Sequence, residues 1–317
     1  MTLTRTAPAT TPRPPVPSAS TGSLKPAVQS TLSALVQTAR PRQWLKNVLV
    51  FAAPGAAGLL LVPATAAAAM WAAVVLTVAS AGIYFVNDAK DVASDRLHPA
   101  KSLRPVASGR ISPVTAYSIG MGLGALALIA AVPLGVAFAA VVATYLALTL
   151  SYSAWLKRQP VVDILAVAAG FVLRAIAGAV ATGITLSSWF LLVALFGSLF
   201  LVTAKRVAEQ AHPVGATTTR AVLDRYPPSW LQQVLTLSLT GTVLAYATWA
   251  VQYDGADVAM PALALSVVPF LAVLLRYSLL VACGEGEAPE MLLTSDRFLL
   301  VAGAVWAVLV GGALYLA

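Results

Sequence analysis

Residues 65–105 read TAAAAMWAAVVLTVASAGIYFVNDAKDVASDRLHPAKSLRP. The first 22 positions, 65–86, hold no charge, and the run ends abruptly at Asn87-Asp88. An uncharged run of this length matches the roughly 20 residues an α-helix needs to cross about 30 Å of hydrocarbon. Asp88, Asp91 and Asp95 follow at spacings of three and four, within roughly 60° of one another on an ideal helix. Carboxylates that share a face repel unless positive charge lies between them. A hard divalent cation such as Mg²⁺, bridging to a phosphorylated substrate, would supply it. The alternative is a solvated turn whose acids pair with Lys90, Arg96 and Lys101.

The apolar run is one of many. Hydrophobic residues make up 59% of the chain and charged ones 10%, and the mean hydropathy is +0.84. These values exclude an ordinary soluble domain. Nine spans are expected, near 44–61, 65–87, 113–131, 133–151, 161–181, 187–204, 230–251, 261–281 and 297–316. Backbone polar groups inside lipid must bond within the chain, so the fold class is all-α, a polytopic helical bundle. Residues 1–30, rich in Pro, Thr, Ser and Ala, read as a disordered tail. Residues 31–317 are expected to form one transmembrane domain, with long loops near 88–112 and 205–229. These loops follow the second and sixth spans, which hints at a duplicated four-helix unit.

Of the 20 Lys and Arg residues, all but Arg174 fall in the tail, in the even-numbered connections or at the adjoining helix ends. By the positive-inside rule the N-terminus and the aspartates are cytoplasmic and the C-terminus is outside; the membrane is expected to be the plasma membrane. The net charge of +8 is thereby concentrated on one face, suited to anionic lipid or a polyanionic substrate. Dispersed over short loops, these cations do not suggest nucleic acid. The single cysteine, Cys283, forbids an intrachain disulfide, and two histidines are too few for a His-based zinc site.

Further polar residues interrupt the apolar spans. Lys46 and Asn47 lie inside the first, where Trp44 and its flanking cations already suffice as an interfacial anchor. Arg174 lies roughly 20 Å along the fifth helix, too deep to snorkel easily. With Asp163 and Gly170 on its face, it either lines a cytoplasmic cavity or bonds to helix-end carbonyls. Lys205 and Arg206, at the end of the sixth span, are either topogenic charges or the cationic half of a diphosphate cradle opposite the aspartates.

Asn87-Asp88-x-x-Asp91-x-x-x-Asp95 resembles the first aspartate motif of the UbiA superfamily of intramembrane prenyltransferases, and Tyr152 to Arg158 resembles its Tyr…Lys-Arg stretch. The superfamily's second acid motif is absent; Lys205-Arg206-x-x-Glu209 stands there. The departure points to one branch, the actinobacterial decaprenyl-phosphate phosphoribosyltransferases. The segments similar to that branch are Arg40–Asn47, Val86–Lys101, Arg104-Pro105, Ile176–Gly178, Ala204–Glu209 and Glu287–Glu290. The resemblance implies transfer of 5-phosphoribose from 5-phosphoribosyl 1-diphosphate to a polyprenyl (decaprenyl) phosphate, for cell-wall arabinan synthesis. It implies Mg²⁺ on Asp88, Asp91 and Asp95, with Asp88 and Asp91 as the catalytic pair. Substrate contacts are expected from Lys46, Asn87, Asp95, Lys101, Arg104, Tyr152, Lys157, Asp163, Arg174, Lys205 and Arg206. A homo-oligomer and a monomer both remain open. The competing readings are prenyl transfer to an aromatic or quinone precursor and a non-enzymatic lipid transporter.

Overall fold

A computed structural model describes residues 31–211, 222–253, 259–285, 292 and 295–316. The tail 1–30, part of the second long loop (212–221) and the acidic stretch 286–290 lie outside the described residues. The helices are α1 (Thr31–Ala39), α2 (Ala52–Ala56), α3 (Pro63–Lys90), α4 (Val92–Leu97), α5 (Pro113–Ala131), α6 (Val136–Ala154) and α7 (Val162–Thr182). They continue with α8 (Ser188–Ala211), α9 (Pro228–Gln252), α10 (Ala259–Ala282) and α11 (Arg297–Tyr315). Eight of them, α3 and α5 to α11, are long and apolar enough to cross a membrane. The protein is thus a multi-pass membrane protein.

Local chemistry sets the helix ends. Pro63, Pro113 and Pro228 open α3, α5 and α9, where the missing N–H costs no intrahelical bond. Ser112 caps α5 by accepting from Thr115 N, and Asp296 caps α11 by accepting from Leu299 N. Gly183, at φ 69°, closes α7 in the left-handed conformation that glycine adopts without strain.

The first expected span takes another form. Pro41–Phe51 is an eleven-residue 3-10 helix that runs into the five-residue α2. At about 2.0 Å per 3-10 residue and 1.5 Å per α residue the two cover roughly 30 Å, a full hydrocarbon thickness. Its start is tied to the end of α3 through Arg40 and Asp88. Its far end meets the end of α11, where Tyr315 Oη donates to Gly55 O at 3.1 Å. Because the eight long helices alternate in direction, Asp88 and Tyr315 lie on opposite faces. The stretch therefore makes a ninth crossing with fewer residues than an α-helix would use.

Two centres organise the bundle. Helix α3 is the most enclosed span, 61% buried, against 11% for α11. It runs beside α5 so closely that a Cβ on Gly82 would lie 2.8 Å from Gly120 O, the small-residue contact by which membrane helices associate. The tight pair α3/α5 recurs four helices on as α8/α9, in keeping with the spacing of the two long loops. The second centre is α7, which touches the 3-10 stretch, α2, α3, α6 and α8. At Gly178 a Cβ would come within 1.8 Å of Val50 O, so only glycine admits the stretch there.

Candidate active site

All the described Lys and Arg residues except Arg174 lie on or near the face that carries Asp88, as the alternation of the helices places them. The end of α3 gathers the first group. Its helix stops at Lys90, and Asp91 (φ −88°, ψ 6°) joins it to α4. That break revises the picture of three aspartates facing one ion. Asp88 and Asp95 turn inward, 2% and 4% exposed, and are held by arginines. Arg40 Nη2 donates to Asp88 Oδ1. Arg104 Nη1 lies 3.5 Å from the same oxygen and 2.7 Å from Asp95 Oδ2. Asp91 turns the other way, with its Oδ1 3.4 Å from Lys157 Nζ. Among the described residues no three acidic, His or Cys side chains converge on a metal-sized space.

The donor set nevertheless suits Mg²⁺. Asn87 Oδ1 is buried with no hydrogen-bond partner, an unmet acceptor of the kind a bound group would satisfy. Asp91, four residues on and thus on the same helical face, keeps a side chain 39% exposed. Mg²⁺ commonly takes one or two protein oxygens and completes its shell with water and substrate phosphate, so a three-carboxylate cage is not needed.

The second group joins α6, α7 and α8. Tyr152 Oη donates to Asp163 Oδ1 at 2.8 Å. Arg206 donates to both Asp163 oxygens, at 3.0 and 3.3 Å, and to Glu209 Oε2 at 2.9 Å. Asp163 is fully buried and the Arg206 side chain is 3% exposed. This guanidinium locks α7 to α8. Helix α8 runs on to Ala211, so Lys205 and Arg206 belong to a helix and not to a loop. Lys205, half-buried, has no partner among the described residues. Val161, just before α7, has φ 68°, a strained value for a β-branched residue. Its N–H donates to Tyr226 Oη at 2.8 Å. Burial pushes the Tyr226 phenol above its ordinary range, and this bond opposes the rise.

Arg174 sits about 16 Å further along α7 than Asp163 and is 7% exposed. It donates to Asn47 Oδ1 at 2.9 Å, Gly170 O at 2.7 Å and Tyr145 Oη at 2.8 Å, with the Tyr145 ring 4.8 Å away. Asn47 also donates to Thr77, and Tyr145 meets Ser80. Four elements are thus tied by one polar layer. Arg174 therefore bonds to one carbonyl inside α7, not at a helix end, and otherwise to side chains. Lys46 is half-buried beside Asn47, and Lys101 is half-buried in the 3-10 turn Lys101–Leu103. Arg40, Tyr145 and Glu209 were assigned no role from sequence; for Arg40 the available signal was its place two residues before Arg42 at the mouth of the first span.

The two charged groups lie on one face of the bundle, and Lys157, in the turn between α6 and α7, reaches Asp91 at the end of α3. The chain belongs to the UbiA prenyltransferase family, which matches residues 48–301. It is 42% identical over 288 residues to a decaprenyl-phosphate phosphoribosyltransferase of Corynebacterium glutamicum, covering 89% of this chain and 87% of that protein. Over 289 residues it is 41% identical to the protein of the same name from Mycobacterium tuberculosis, covering 89% and 94%. A UbiA homolog from Archaeoglobus fulgidus, solved bound to DMAPP and Mg²⁺, shares the fold with a TM-score of 0.68 at 21% identity, over 89% of this chain and 99% of that one.

Proposed function

We propose that the protein transfers 5-phosphoribose from 5-phosphoribosyl 1-diphosphate to a polyprenyl phosphate, with decaprenyl phosphate as the acceptor. The observation that carries this reading is the likeness, over about nine tenths of the chain, to relatives bearing that name. The site agrees with it. Where the family's second acid motif would help the first to hold a prenyl diphosphate through Mg²⁺, α8 carries Lys205 and a buried Arg206. That substitution suits a substrate pair with three phosphorylated positions.

The acceptor's phosphate oxygen attacks the anomeric carbon, and the bond from that carbon to the diphosphate breaks with its electron pair on the leaving oxygen. A phosphate monoester is already largely ionised near neutral pH, so no general base is needed. Asn87 and Asp91 would hold the Mg²⁺, which when bound neutralises charge on the departing diphosphate. Lys157 and Lys205 would meet phosphate oxygens, while Tyr152, Asp163 and Arg206, bonded to one another, would keep the walls of the site in register. Catalysis then rests on positioning and charge stabilisation. The reaction takes place at the cytoplasmic face of the plasma membrane, as the cation asymmetry supports, within one domain spanning residues 31–317.

The test is transfer itself. Purified protein in detergent, given Mg²⁺, labelled phosphoribosyl diphosphate and decaprenyl phosphate, should move label into the organic phase and release diphosphate. Label that stays aqueous, with turnover only when a prenyl diphosphate and an aromatic acceptor are supplied, would overturn the reading.

A further inference from the structure

The arginines on Asp88 have a use beyond neutralising it. Four charges meet at the end of α3: Arg40, Arg104, Asp88 and Asp95. They cancel in number but not in place. The side chains of Asp88 and Asp95 are 2% and 5% exposed, whereas those of Arg40 and Arg104 are 29% and 31% exposed. The acids face the protein and the guanidinium groups face out. Each arginine meets its carboxylates through a single nitrogen, Nη2 of Arg40 and Nη1 of Arg104. The remaining N–H edges have no partner among the described residues.

Their placement is also constrained. Arg40 holds a left-handed backbone, φ 53° and ψ 65°, a conformation that costs a non-glycine residue about 1 kcal/mol or more and persists only where its surroundings fix it. Its guanidinium lies 4.9 Å from the centre of the Tyr84 ring. Arg104 is fixed at once by Asp88 and Asp95. Two guanidinium forks, buried at the root and open at the rim, match the planar bidentate geometry with which arginine takes phosphate. On the helix Asn87 lies about 100° and Asp91 about 60° round from Asp88, and Asp91 reaches to Lys157 rather than to either arginine, so this anion position is separate from the metal-suited one.

We propose that Arg40 and Arg104 form a subsite for a phosphate monoester, with Asp88 as the positioning residue that aims them. Donor and acceptor both carry such a group, the first on the ribose C5 and the second at the lipid head. The inference rests on the functional reading above and assigns Asp88 a task different from binding metal.

Calorimetry on the full chain in detergent separates the roles. The probes are ribose 5-phosphate, farnesyl phosphate, and inorganic diphosphate with Mg²⁺. Arg40→Gln and Arg104→Gln should weaken monoester binding by about tenfold to a hundredfold, the range for lost charge-assisted bonds. Diphosphate binding with Mg²⁺ should stay within about threefold, below one lost hydrogen bond. Asp88→Asn should give the same split although it removes no cation, which a purely structural role would not do. Weakening confined to ribose 5-phosphate identifies the donor's phosphate; weakening confined to farnesyl phosphate identifies the acceptor's. Unchanged monoester binding in both arginine variants overturns the subsite, and so does wild-type protein that binds neither monoester. Asp88→Asn that loses only diphosphate binding makes Asp88 a metal ligand. Should that variant fail to elute as a single species, Arg104→Gln alone decides. Protein that binds ribose 5-phosphate at these arginines yet transfers nothing would refute the function and leave the subsite standing.

Discussion

Asp163 and Arg206 offer a test of whether a buried charge pair locks two helices or serves a substrate. Asp163→Ala removes both Asp163 bonds to Arg206 and the acceptor for Tyr152, leaving a 3% exposed guanidinium with Glu209 alone. Arg206→Met leaves a fully buried carboxylate without its guanidinium partner, while the Tyr152 hydroxyl still donates to it. Breaking one side of a buried pair costs roughly 3–5 kcal/mol, because the partner stays charged and desolvated. Simple addition would put the double variant at roughly 6–10 kcal/mol on the same scale. Removing both charges removes the orphan as well, so the double variant should lose no more than the worse single one, a coupling of about 3 kcal/mol. The assay is reversible unfolding in mixed micelles, followed by circular dichroism, for the wild type and three variants. A double variant within about 0.5 kcal/mol of the sum would refute the lock. Donor KM adds a second readout. If Arg206 also holds donor phosphate, the double variant should recover stability while its KM stays as poor as that of Arg206→Met.

Three further expectations follow from the same geometry. Arg174→Leu makes α7 more apolar and should insert normally, but it strands Asn47 Oδ1; transfer should fall by at least tenfold, about the effect of 1.4 kcal/mol, and wild-type rates would show that the polar layer is dispensable. Gly178→Ala drives a methyl group into Val50 O and should cost about 1–3 kcal/mol, read as a lower melting temperature with a looser 3-10 stretch by hydrogen exchange; an unchanged melt would mean the stretch is not anchored there. The Arg276 hydrogen bond holds the Asp296 carboxyl below its ordinary value of 3.8, so its contribution is complete above that pH and fades as pH falls through the lower folded value. Thermal melts at pH 5 and pH 3 should show a smaller acid loss in Asp296→Asn than in the wild type, and equal losses would remove the assignment.

Most of the bundle was readable because lipid enforces a simple rule: long uncharged runs become helices. The cations alternate between faces for a reason equally independent of packing. What sequence could not give was the form of the first crossing, since a 3-10 helix carries the same apolar residues as an α-helix. The aspartates were found, but their directions depend on a break at Asp91 that no spacing reveals. Arg206 was expected to meet a substrate because nothing in the sequence says that Asp163, 43 positions earlier, will close on it. Arg40 was passed over for a similar reason, as its partner lies 48 residues away. In each case the missing information was a contact between distant segments.

The stretched first crossing bears on how the protein is made. Residues 41–56 include Arg42, Lys46 and Asn47, and a single Lys at the centre of an inserting helix opposes membrane entry by about 2.5–3.5 kcal/mol. The nascent segment is therefore a poor stop for the insertion machinery. The group that receives Asn47 is Arg174, 127 residues further along, and Gly178 follows it. Until α7 has been synthesised the first segment has no seat in the bundle, and it should enter late, drawn in by helices made after it. Glycosylation reporters on chains of increasing length would show this as N-terminal topology that becomes fixed only once α7 has emerged; fixation before α3 is complete would sink the idea.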